Sequence, residues 1–398
     1  MVRLRRFEVL TFGSGDQRQM YILLVRSVLS RTWTYANVPY SAIIFPKSFQ
    51  SFSSPTQKQR LSAEFRDCCV STPPALEWAS SCRCAAPMLK TTAKILGSIF
   101  VAAVLVLTGT YIHYDQENTS IDDRVRRSFG ASFVHLRDGS VHYELSGPKD
   151  GRTVVLVHGF SVPYYIWDPT FDALVKAGFR VLRYDLYGRG YSDRPDVVYD
   201  ADLFDRQLSD LMAALDIRDP VDLVGVSMGG PIVITFADRH PEKVRTISLI
   251  DPAYRTGKRL AFKLRAPLVG EYVMDVFIAP SLPQSQMEDF YRPERFPEYA
   301  DKYRPQVRYK GFRRALLSTR RNYSVRDDRQ EYQDVGRSGL PVLLIWGKVD
   351  RAIPFSVSQE VLNALPHAEF YPIEEAAHIP HYERPETVNP ILIRFLSK

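Results

Sequence analysis

Residues 221–230 hold the side chains whose types and spacing most clearly suggest chemistry. An apolar, β-branched run ends in a G-x-S-x-G pentapeptide at residues 225–229, and the residues that follow have the apolar period of a helix. This pattern predicts a nucleophile elbow, a sharp strand-to-helix turn with a serine, Ser227, at its tip. Gly225 and Gly229 fit the crowded flanks of such a turn. The pattern therefore predicts that Ser227 Oγ is exposed at a sheet edge, beside the positive end of a helix dipole.

A serine hydroxyl is a weak nucleophile near neutral pH, so it needs a histidine to accept its proton and a carboxylate to orient that histidine. Both residue types follow predicted strands near the end of the chain. Asp350 comes shortly after a strand at residues 341–347, and His378 follows a strand near Glu369–Ile373. Because parallel strands end at one edge of a sheet, we expect Ser227, Asp350 and His378 to meet there as nucleophile, acid and base.

Three further residues are candidates for the same chemistry. His381 could be the base instead of His378, and Asp251, also at a strand tip, could supply the acid instead of Asp350. His158 follows a strand as well, and there we expect it to brace a glycine turn rather than to transfer protons.

Charge and cysteine content exclude several other functions. Most of the net charge of +7 lies in residues 1–87, so the rest of the chain is nearly neutral and a nucleic-acid partner is not supported. All four cysteines, at positions 68, 69, 82 and 84, lie there too, which leaves the remainder without a disulfide or a cysteine metal site. The glycine pattern after Asp185 matches neither a P-loop nor a dinucleotide fingerprint. No metal or organic cofactor is implied.

Residues 1–87 show no sustained hydrophobic period and are interrupted by prolines. Their content of serine and arginine would also suit a transit peptide. We interpret them as a disordered or misassigned extension that precedes the real start at Met88.

Residues 88–114 predict a membrane segment. A short basic stretch precedes an uncharged apolar run over residues 95–112, which is long enough to cross most of a bilayer core. No convincing cleavage site follows, so we expect an uncleaved signal anchor rather than a signal peptide, and a buried core helix would normally show a polar face.

The flanks of this run predict its orientation. Lys90 and Lys94 precede it, which places the N-terminus in the cytoplasm, although arginines after the run weaken the count. Glycosylation sequons at Asn118 and Asn322 fit a lumenal or extracellular catalytic part. We therefore expect a single-pass membrane protein.

From about residue 130, short apolar strands alternate with helical stretches, which predicts an α/β fold with a mostly parallel sheet. A hairpin at Ser132–Leu136 and 141–145 opens it. Residues 252–338 break the alternation and predict a helical cap over the strand ends. Within the cap, residues 264–282 are apolar enough to line an acyl pocket or touch a membrane, although ordinary packing would also explain them.

Five motifs occur in a recognisable order: His158-Gly159, Asp185…Gly188-x-Gly190-x-Ser192, the elbow, Trp346-Gly347-x-x-Asp350, and His378-x-Pro380-x-x-Glu383-x-Pro385. Together they resemble the α/β-hydrolase superfamily, in its monoacylglycerol-lipase-like and esterase-like branch. The resemblance covers residues 130–398 and implies an eight-stranded sheet with a helical cap.

The resemblance also implies roles for particular residues. Ser227 would be the nucleophile, Asp350 the acid and His378 the base. The backbone N–H groups of Phe160 and Met228 would form the oxyanion hole. The H-x-P setting favours His378 as the base, and the position after the penultimate strand favours Asp350 as the acid.

We therefore expect a membrane-anchored serine hydrolase that cleaves carboxylic esters through an acyl-enzyme on Ser227. A membrane anchor and an apolar cap suggest a small-molecule or lipid-like ester, such as a monoacylglycerol. The alternatives are a carbon–carbon bond hydrolase or a cofactor-free perhydrolase with the same triad, and a non-catalytic binding protein on the same fold.

Overall fold

The computed structural model describes residues 78–128, 132–255, 257 and 259–398, with side chains from residue 90 onward. The chain divides into two units, Met1–Ala86 and Pro87–Lys398, and the packing described below lies within the second. The interpretation of residues 1–77 as an extension lies outside the described residues.

The strands among the described residues are β1 (Ser132–Leu136), β2 (Gly139–Ser146), β3 (Thr153–Val157), β4 (Arg180–Tyr184), β5 (Val221–Val226), β6 (Val244–Ile250), β7 (Val342–Gly347) and β8 (Glu369–Ile373). The α-helices are α1 (Trp78–Tyr114), α2 (Asp123–Ser128), α3 (Asp168–Lys176), α4 (Ala201–Ala214), α5 (Gly229–Arg239), α6 (Phe262–Arg265), α7 (Val269–Val273), α8 (Leu282–Ser285), α9 (Tyr299–Tyr303), α10 (Phe312–Asn322), α11 (Arg329–Ser338), α12 (Val357–Ala364), α13 (Pro380–Glu383) and α14 (Pro385–Leu396).

The strands form one mixed eight-stranded sheet in the order β1-β2-β4-β3-β5-β6-β7-β8. β2 pairs antiparallel with β1 and β4, because a tight turn joins β1 directly to β2. The remaining pairs, from β4-β3 through β7-β8, are parallel. The prediction of a mostly parallel eight-stranded sheet with an opening hairpin is thus confirmed, and the antiparallel strands are confined to one edge.

The central strands are buried on both faces because helices cover the sheet on each side. Every residue of β3, β5 and β7 is buried. Alternate residues point to opposite faces: Val155 and Val157 join the core that contains α4 and α5, whereas Val154 and Leu156 join the core that contains α3 and α14. Continuous apolar runs of this kind are typical of parallel strands covered on both faces.

The chain between β6 and β7 leaves the sheet and forms α6 to α11 together with several short turns. Aromatic side chains from this region, including Phe290, Tyr299 and Phe312, are fully buried and belong to the same core as α3 and α14. We call residues 252–338 the cap.

Helix α1 begins ten residues before Met88 and ends at Tyr114. Its part Lys90–Tyr114 is long and apolar enough, by length and composition, to cross a membrane. The apolar side chains there are exposed, as Phe100 illustrates. The chain after the helix is fastened to the cap: Glu117 accepts hydrogen bonds from the backbone N–H groups of Gly311 (2.8 Å) and Arg313 (2.7 Å) at the start of α10.

One carboxylate fixes the base of the strand that leads to Ser227. Asp222 in β5 is fully buried and accepts two hydrogen bonds from Arg152, at 2.7 and 3.0 Å. It accepts two more from Arg245 Nη1 (3.1 Å) and Thr246 Oγ1 (2.7 Å). Four donors thus compensate for the burial of its charge.

We expect Asp222→Ala to lower the free energy of unfolding by about 3 kcal/mol, because it leaves two arginines and a buried hydroxyl without their acceptor. Chemical denaturation followed by tryptophan fluorescence measures this. Asp301→Ala removes an exposed carboxylate that pairs with Arg304, and this control is expected to change the free energy of unfolding by less than about 0.5 kcal/mol. Equal effects of the two substitutions would contradict the prediction.

Candidate active site

Ser227 lies on the turn between β5 and α5 in a left-handed backbone conformation, with φ of 54°. A non-glycine residue rarely adopts this conformation, so the surroundings must hold it. The Ser227 N–H donates to Ile250 O (3.0 Å), and its carbonyl accepts from the N–H groups of Gly230 (3.0 Å) and Ala253 (2.9 Å). Both sides of the serine are thereby bonded to neighbouring elements.

The two glycines of the pentapeptide are required by close backbone contacts. A Cβ atom on Gly225 would lie 2.4 Å from Gly229 O, and one on Gly229 would lie 2.2 Å from Val157 O. Both distances are far below van der Waals contact. The crowding predicted for a nucleophile elbow is therefore present at both positions.

Asp350 and His378 follow β7 and β8, and their side chains are hydrogen-bonded to each other. His378 Nδ1 lies 2.8 Å from Asp350 Oδ2, while Asp350 Oδ1 accepts from the N–H groups of Ala352 (2.7 Å) and Ile353 (2.9 Å). The Asp350 carboxylate raises the pKa of His378 above its ordinary value, against the opposing effect of burial. This contact orients the imidazole and leaves Nε2 as its free nitrogen.

Ser227 and His378 line the same cavity, which has a volume of about 600 Å³ and lies under the cap. Phe160 and Met228 also line it, and the backbone N–H of neither residue donates a hydrogen bond to another described residue. The structure thus brings four of the five predicted site residues to one cavity, with Asp350 behind His378. The arrangement provides a hydroxyl, an oriented imidazole and two free N–H donors.

His158 has a bracing position, as expected from the sequence. It is fully buried: its Nε2 accepts from Leu186 N–H (2.9 Å), and its Nδ1 is 2.9 Å from Gly159 O. Because the backbone N–H can only donate, the proton of the ring resides on Nδ1, which donates to Gly159. Burial lowers the pKa of His158 to about 4. This neutral ring holds the turn that carries Phe160.

His381 does not reach the cavity. It is fully buried with its ring 4.4 Å from that of Trp167, and burial lowers its pKa to about 3. The position of His381 therefore separates it from Ser227, whereas His378 shares the cavity with the serine.

Asp251, the alternative acid, lies beside the dyad without bonding to His378. Its Oδ1 accepts from Gly347 N–H (2.9 Å), whereas its buried Oδ2 has no partner among the described residues. Burial and the neighbouring charge of Asp350 raise the pKa of Asp251 well above its usual range. Both effects favour the protonated form of the Asp251 carboxyl.

Asp251, Asp350 and His378 each offer a ligand atom within 4.8 Å of the others, so they could hold a metal ion. However, His378 Nδ1 and Asp350 Oδ2 already bind each other, and two N–H groups occupy Asp350 Oδ1. The donor set is thus better explained as a hydrogen-bonded dyad with a second buried carboxyl beside it.

Four charged residues of the cap line the cavity, namely Arg255, Glu288, Asp289 and Arg320, and the sequence analysis identified none of them. Asp289 and Arg320 bear most directly on the site. The carbonyl of Asp289 accepts from His378 N–H (3.0 Å), and burial raises the pKa of its carboxyl to about 6. Arg320 enters from α10. No motif marks either residue, because both reach the cavity through the packing of the cap.

A sheet of this topology, with a serine on a strand-to-helix turn beneath a cap, defines a class of α/β enzymes. A family model described as "Alpha/beta hydrolase family" matches residues 154–391. The chain belongs to this family and is a hydrolase.

Similarity to individual proteins extends over most of the second unit. The chain is 26% identical over 302 residues to a 2-hydroxy-6-oxononadienedioate/2-hydroxy-6-oxononatrienedioate hydrolase of Paraburkholderia xenovorans, covering 70% of this chain and 99% of that protein. It is 24% identical over 292 residues to human monoacylglycerol lipase ABHD6, covering 68% and 84%.

Solved structures show the same fold. An enol-lactonase from Burkholderia xenovorans superposes with a TM-score of 0.59 at 24% identity, covering 67% of this chain and all of that one. A membrane phospholipase A has a TM-score of 0.54 at 22% identity, and this match covers 79% of this chain and 98% of that one.

We expect Asp350→Asn to lower kcat about 10⁴-fold, because the amide cannot stabilise an imidazolium. A general base must be neutral, so wild-type kcat/KM is expected to rise with pH through a pKa above about 6.5. Since Asp350 raises the pKa of His378, any residual activity of the variant should titrate at lower pH. A pH–rate profile of each protein measures both effects.

Asp251→Asn is the matched control, because it makes the same isosteric change at the carboxyl that is not bonded to His378. We expect kcat within about tenfold of wild type and an unshifted pH profile. The opposite ranking of the two variants would assign the acid to Asp251.

Proposed function

We propose that the protein is a serine hydrolase that cleaves carboxylic esters through an acyl-enzyme. The observation that carries this proposal is the shared cavity of Ser227 and His378, with the imidazole held by Asp350 at 2.8 Å. The strained turn presents the serine hydroxyl, and the dyad supplies a base whose proton affinity is raised by a carboxylate.

The proposed reaction has two halves. His378 Nε2 takes the Ser227 Oγ proton as the oxygen attacks the ester carbonyl. The resulting oxyanion accepts hydrogen bonds from the Phe160 and Met228 N–H groups, and His378 then protonates the leaving alcohol. In the second half His378 deprotonates a water molecule, which attacks the acyl-enzyme. The acyl–Oγ bond then breaks, His378 returns the proton to Ser227 Oγ, and the carboxylic acid is released.

Lipid-like esters are the proposed substrates because the site is associated with apolar surfaces. Leu282, Val162 and Ile166 contribute apolar walls to the cavity. The relatives named above include a monoacylglycerol lipase, and a membrane phospholipase A has the same fold.

The proposal is tested by the hydrolysis of para-nitrophenyl butyrate and para-nitrophenyl laurate by the full chain in detergent. We expect wild type to hydrolyse at least one ester and Ser227→Ala to lose at least about 10⁴-fold in kcat, because the nucleophile is removed. The ratio of the two rates then ranks esterase against lipase.

Labelling with a fluorophosphonate probe distinguishes a hydrolase with another substrate from a non-catalytic binding protein. Labelling of wild type but not of Ser227→Ala, without ester hydrolysis, would show an active nucleophile with another substrate. No labelling of a folded protein would favour a non-catalytic binding protein.

The second candidate function is carbon–carbon bond hydrolysis, which the 26% identity to an oxononadienedioate hydrolase favours. The same triad could catalyse carbon–carbon bond hydrolysis. It could also catalyse the reaction of a cofactor-free perhydrolase. Hydrolysis of a dienone acid, followed by loss of its absorbance, and peracid formation from peroxide are the discriminating assays.

We further propose that α1 anchors the protein in a single-pass orientation, through residues 95–112, with the catalytic unit on the lumenal or extracellular side. The end of this helix contacts the cap: Thr110 Oγ1 lies 2.6 Å from Tyr272 Oη. Nearby, Leu268 is 84% and Phe277 63% exposed, and the rings of Tyr272 and Phe277 are 6.1 Å apart. Exposed apolar side chains beside an anchor fit an interfacial contact with lipid.

Leu268→Asp combined with Phe277→Asp is expected to lower the rate on a long-chain ester in vesicles about tenfold, because the charges oppose insertion into the interface. The rate on soluble para-nitrophenyl butyrate should stay within about twofold. Val198→Asp, at an apolar residue that is 54% exposed in the loop before α4, is the matched control. An unchanged rate in vesicles would contradict the proposed contact.

A further inference from the structure

The arginines that line the catalytic cavity differ in whether a carboxylate pairs with them. Three arginines line it: Arg255, Arg320 and Arg351. Arg255 is paired with Asp328, with Nε 2.7 Å from Oδ2, and Arg351 is exposed to solvent. Arg320 is partly buried in the cavity wall and makes no hydrogen bond or ion pair with any described residue.

The absence of a partner for Arg320 contrasts with the other arginines of α10. Arg313 contacts Asp115, Glu117 and Asp275; Arg314 pairs with Asp196; and Arg321 pairs with Glu271. Helix α10 thus has carboxylate partners for its other three arginines, and among the described residues it has none for Arg320, which lines the cavity.

Arg320 lies beside a residue of the proposed oxyanion hole. The carbon of its guanidinium is 4.7 Å from the centre of the Phe160 ring. A second guanidinium, that of Arg189, is 5.5 Å from the same ring, but its nitrogens are bonded to Phe160 O, Tyr187 O and Thr319 Oγ1. Arg189 therefore already fixes the position of Phe160, and Arg320 is not needed to hold this turn.

A partly buried cation without an anion is unfavourable. The Nε of Arg320 is buried and has no partner among the described residues. Burial lowers the pKa of Arg320, and only the hydroxyl of Tyr303 acts in the opposite direction. A carboxylate or phosphate would relieve this cost, because either anion matches the fork of a guanidinium with two parallel hydrogen bonds.

Two acidic residues also line the cavity. Asp289 accepts a hydrogen bond from the backbone N–H of His378 through its carbonyl, and Glu288 precedes it in the chain. Their carboxylates would repel an anionic ligand, whereas the guanidinium of Arg320 would attract it.

We propose that Arg320 binds an anionic group of the substrate, a carboxylate or a phosphate, while the ester carbonyl lies at Ser227. This inference rests on the proposed function, since it assigns the class of ester to the same site. Arg320 thereby determines substrate specificity, because it favours the binding of anionic esters over neutral ones.

Two matched substrate pairs test the proposal and distinguish the sources of the anion. Mono-para-nitrophenyl adipate and para-nitrophenyl hexanoate differ by a carboxylate on the acyl side. Monooleoylglycerol phosphate and monooleoylglycerol differ by a phosphate on the alcohol side. The measurement is the ratio of kcat/KM for the charged and the neutral member, with the full chain in detergent.

We expect the wild-type protein to favour the charged member of at least one pair by about tenfold or more. Arg320→Met should reduce this ratio at least about tenfold and leave the rate on the neutral member within about threefold. Arg320→Lys, which retains the charge without the fork, should give an intermediate ratio. Arg314→Met, on the same helix but outside this cavity, should leave the ratio unchanged.

Two kinetic outcomes would overturn the inference. In one, Arg320→Met leaves both ratios unchanged. In the other, it slows charged and neutral esters equally, which would mean that Arg320 supports the oxyanion turn instead of the substrate.

A binding measurement separates failure of this inference from failure of the proposed function. Hexyl phosphate and hexanoate should raise the melting temperature of Ser227→Ala protein, and hexanol should not; adding Arg320→Met should abolish the effect. If no ester is hydrolysed but this shift depends on Arg320, the anion site stands and ester hydrolysis fails. If esters are hydrolysed while the ratios and the shift are independent of Arg320, the anion site alone fails.

Discussion

The left-handed turn at Ser227 is the constraint on which the rest of the site depends. Its N–H is bonded to the end of β6, and Gly229 packs against the end of β3 so closely that a Cβ atom has no space. The pairing of β5 with β3 and β6 therefore fixes where the hydroxyl lies. Phe160 follows β3 by three residues, so the same pairing sets the separation of the two proposed oxyanion donors. A change in register between these strands would move the nucleophile and one donor relative to each other.

Three buried histidines near this turn show that a hydrogen-bonded carboxylate, rather than burial alone, decides the direction in which the pKa of the ring shifts. His158, His378 and His381 are each less than 10% exposed. The pKa is lowered in His158 and His381, where desolvation dominates, and raised only in His378, where Asp350 Oδ2 lies 2.8 Å from Nδ1. The sheet places the Asp350 carboxylate against this ring alone. The pKa of Asp251 next to it is raised by burial and by the charge of Asp350.

The sheet and the strand-end residues could be predicted from the sequence because both follow local patterns. The strand patterns predicted the bounds of β1 and β8, and the polar residues that follow β7 and β8 are the pair now found hydrogen-bonded. The strand pattern alone could not decide between Asp251 and Asp350, since both follow strands, and only the family resemblance favoured Asp350. That choice depends on the direction of each side chain in the folded state.

The cap was less predictable because short helices and turns do not repeat one period for long enough. Residues 264–282 contain α6, α7 and a π-helical turn at Met274–Ile278. In this stretch Met274 and Leu282 are buried, whereas Leu268 and Phe277 are exposed. The sequence suggested two functions for this stretch, a pocket wall and a lipid contact. The two functions would involve different side chains of the same segment. Arg320 and Asp289 were missed for the same reason, because tertiary packing alone brings them to the cavity.

Helix α10 connects the proposed membrane anchor to the catalytic cavity. Glu117, three residues after the end of α1, accepts from two backbone N–H groups at the start of α10, where a carboxylate also complements the helix dipole. Near the other end of α10, Arg320 lines the cavity. The anchor and the cavity wall are therefore two ends of one bonded element about three turns long. Because an α-helix is a rigid element, the cavity is held at a fixed distance from the end of the apolar segment. The proposed anchor and the proposed anion site are thus joined through α10.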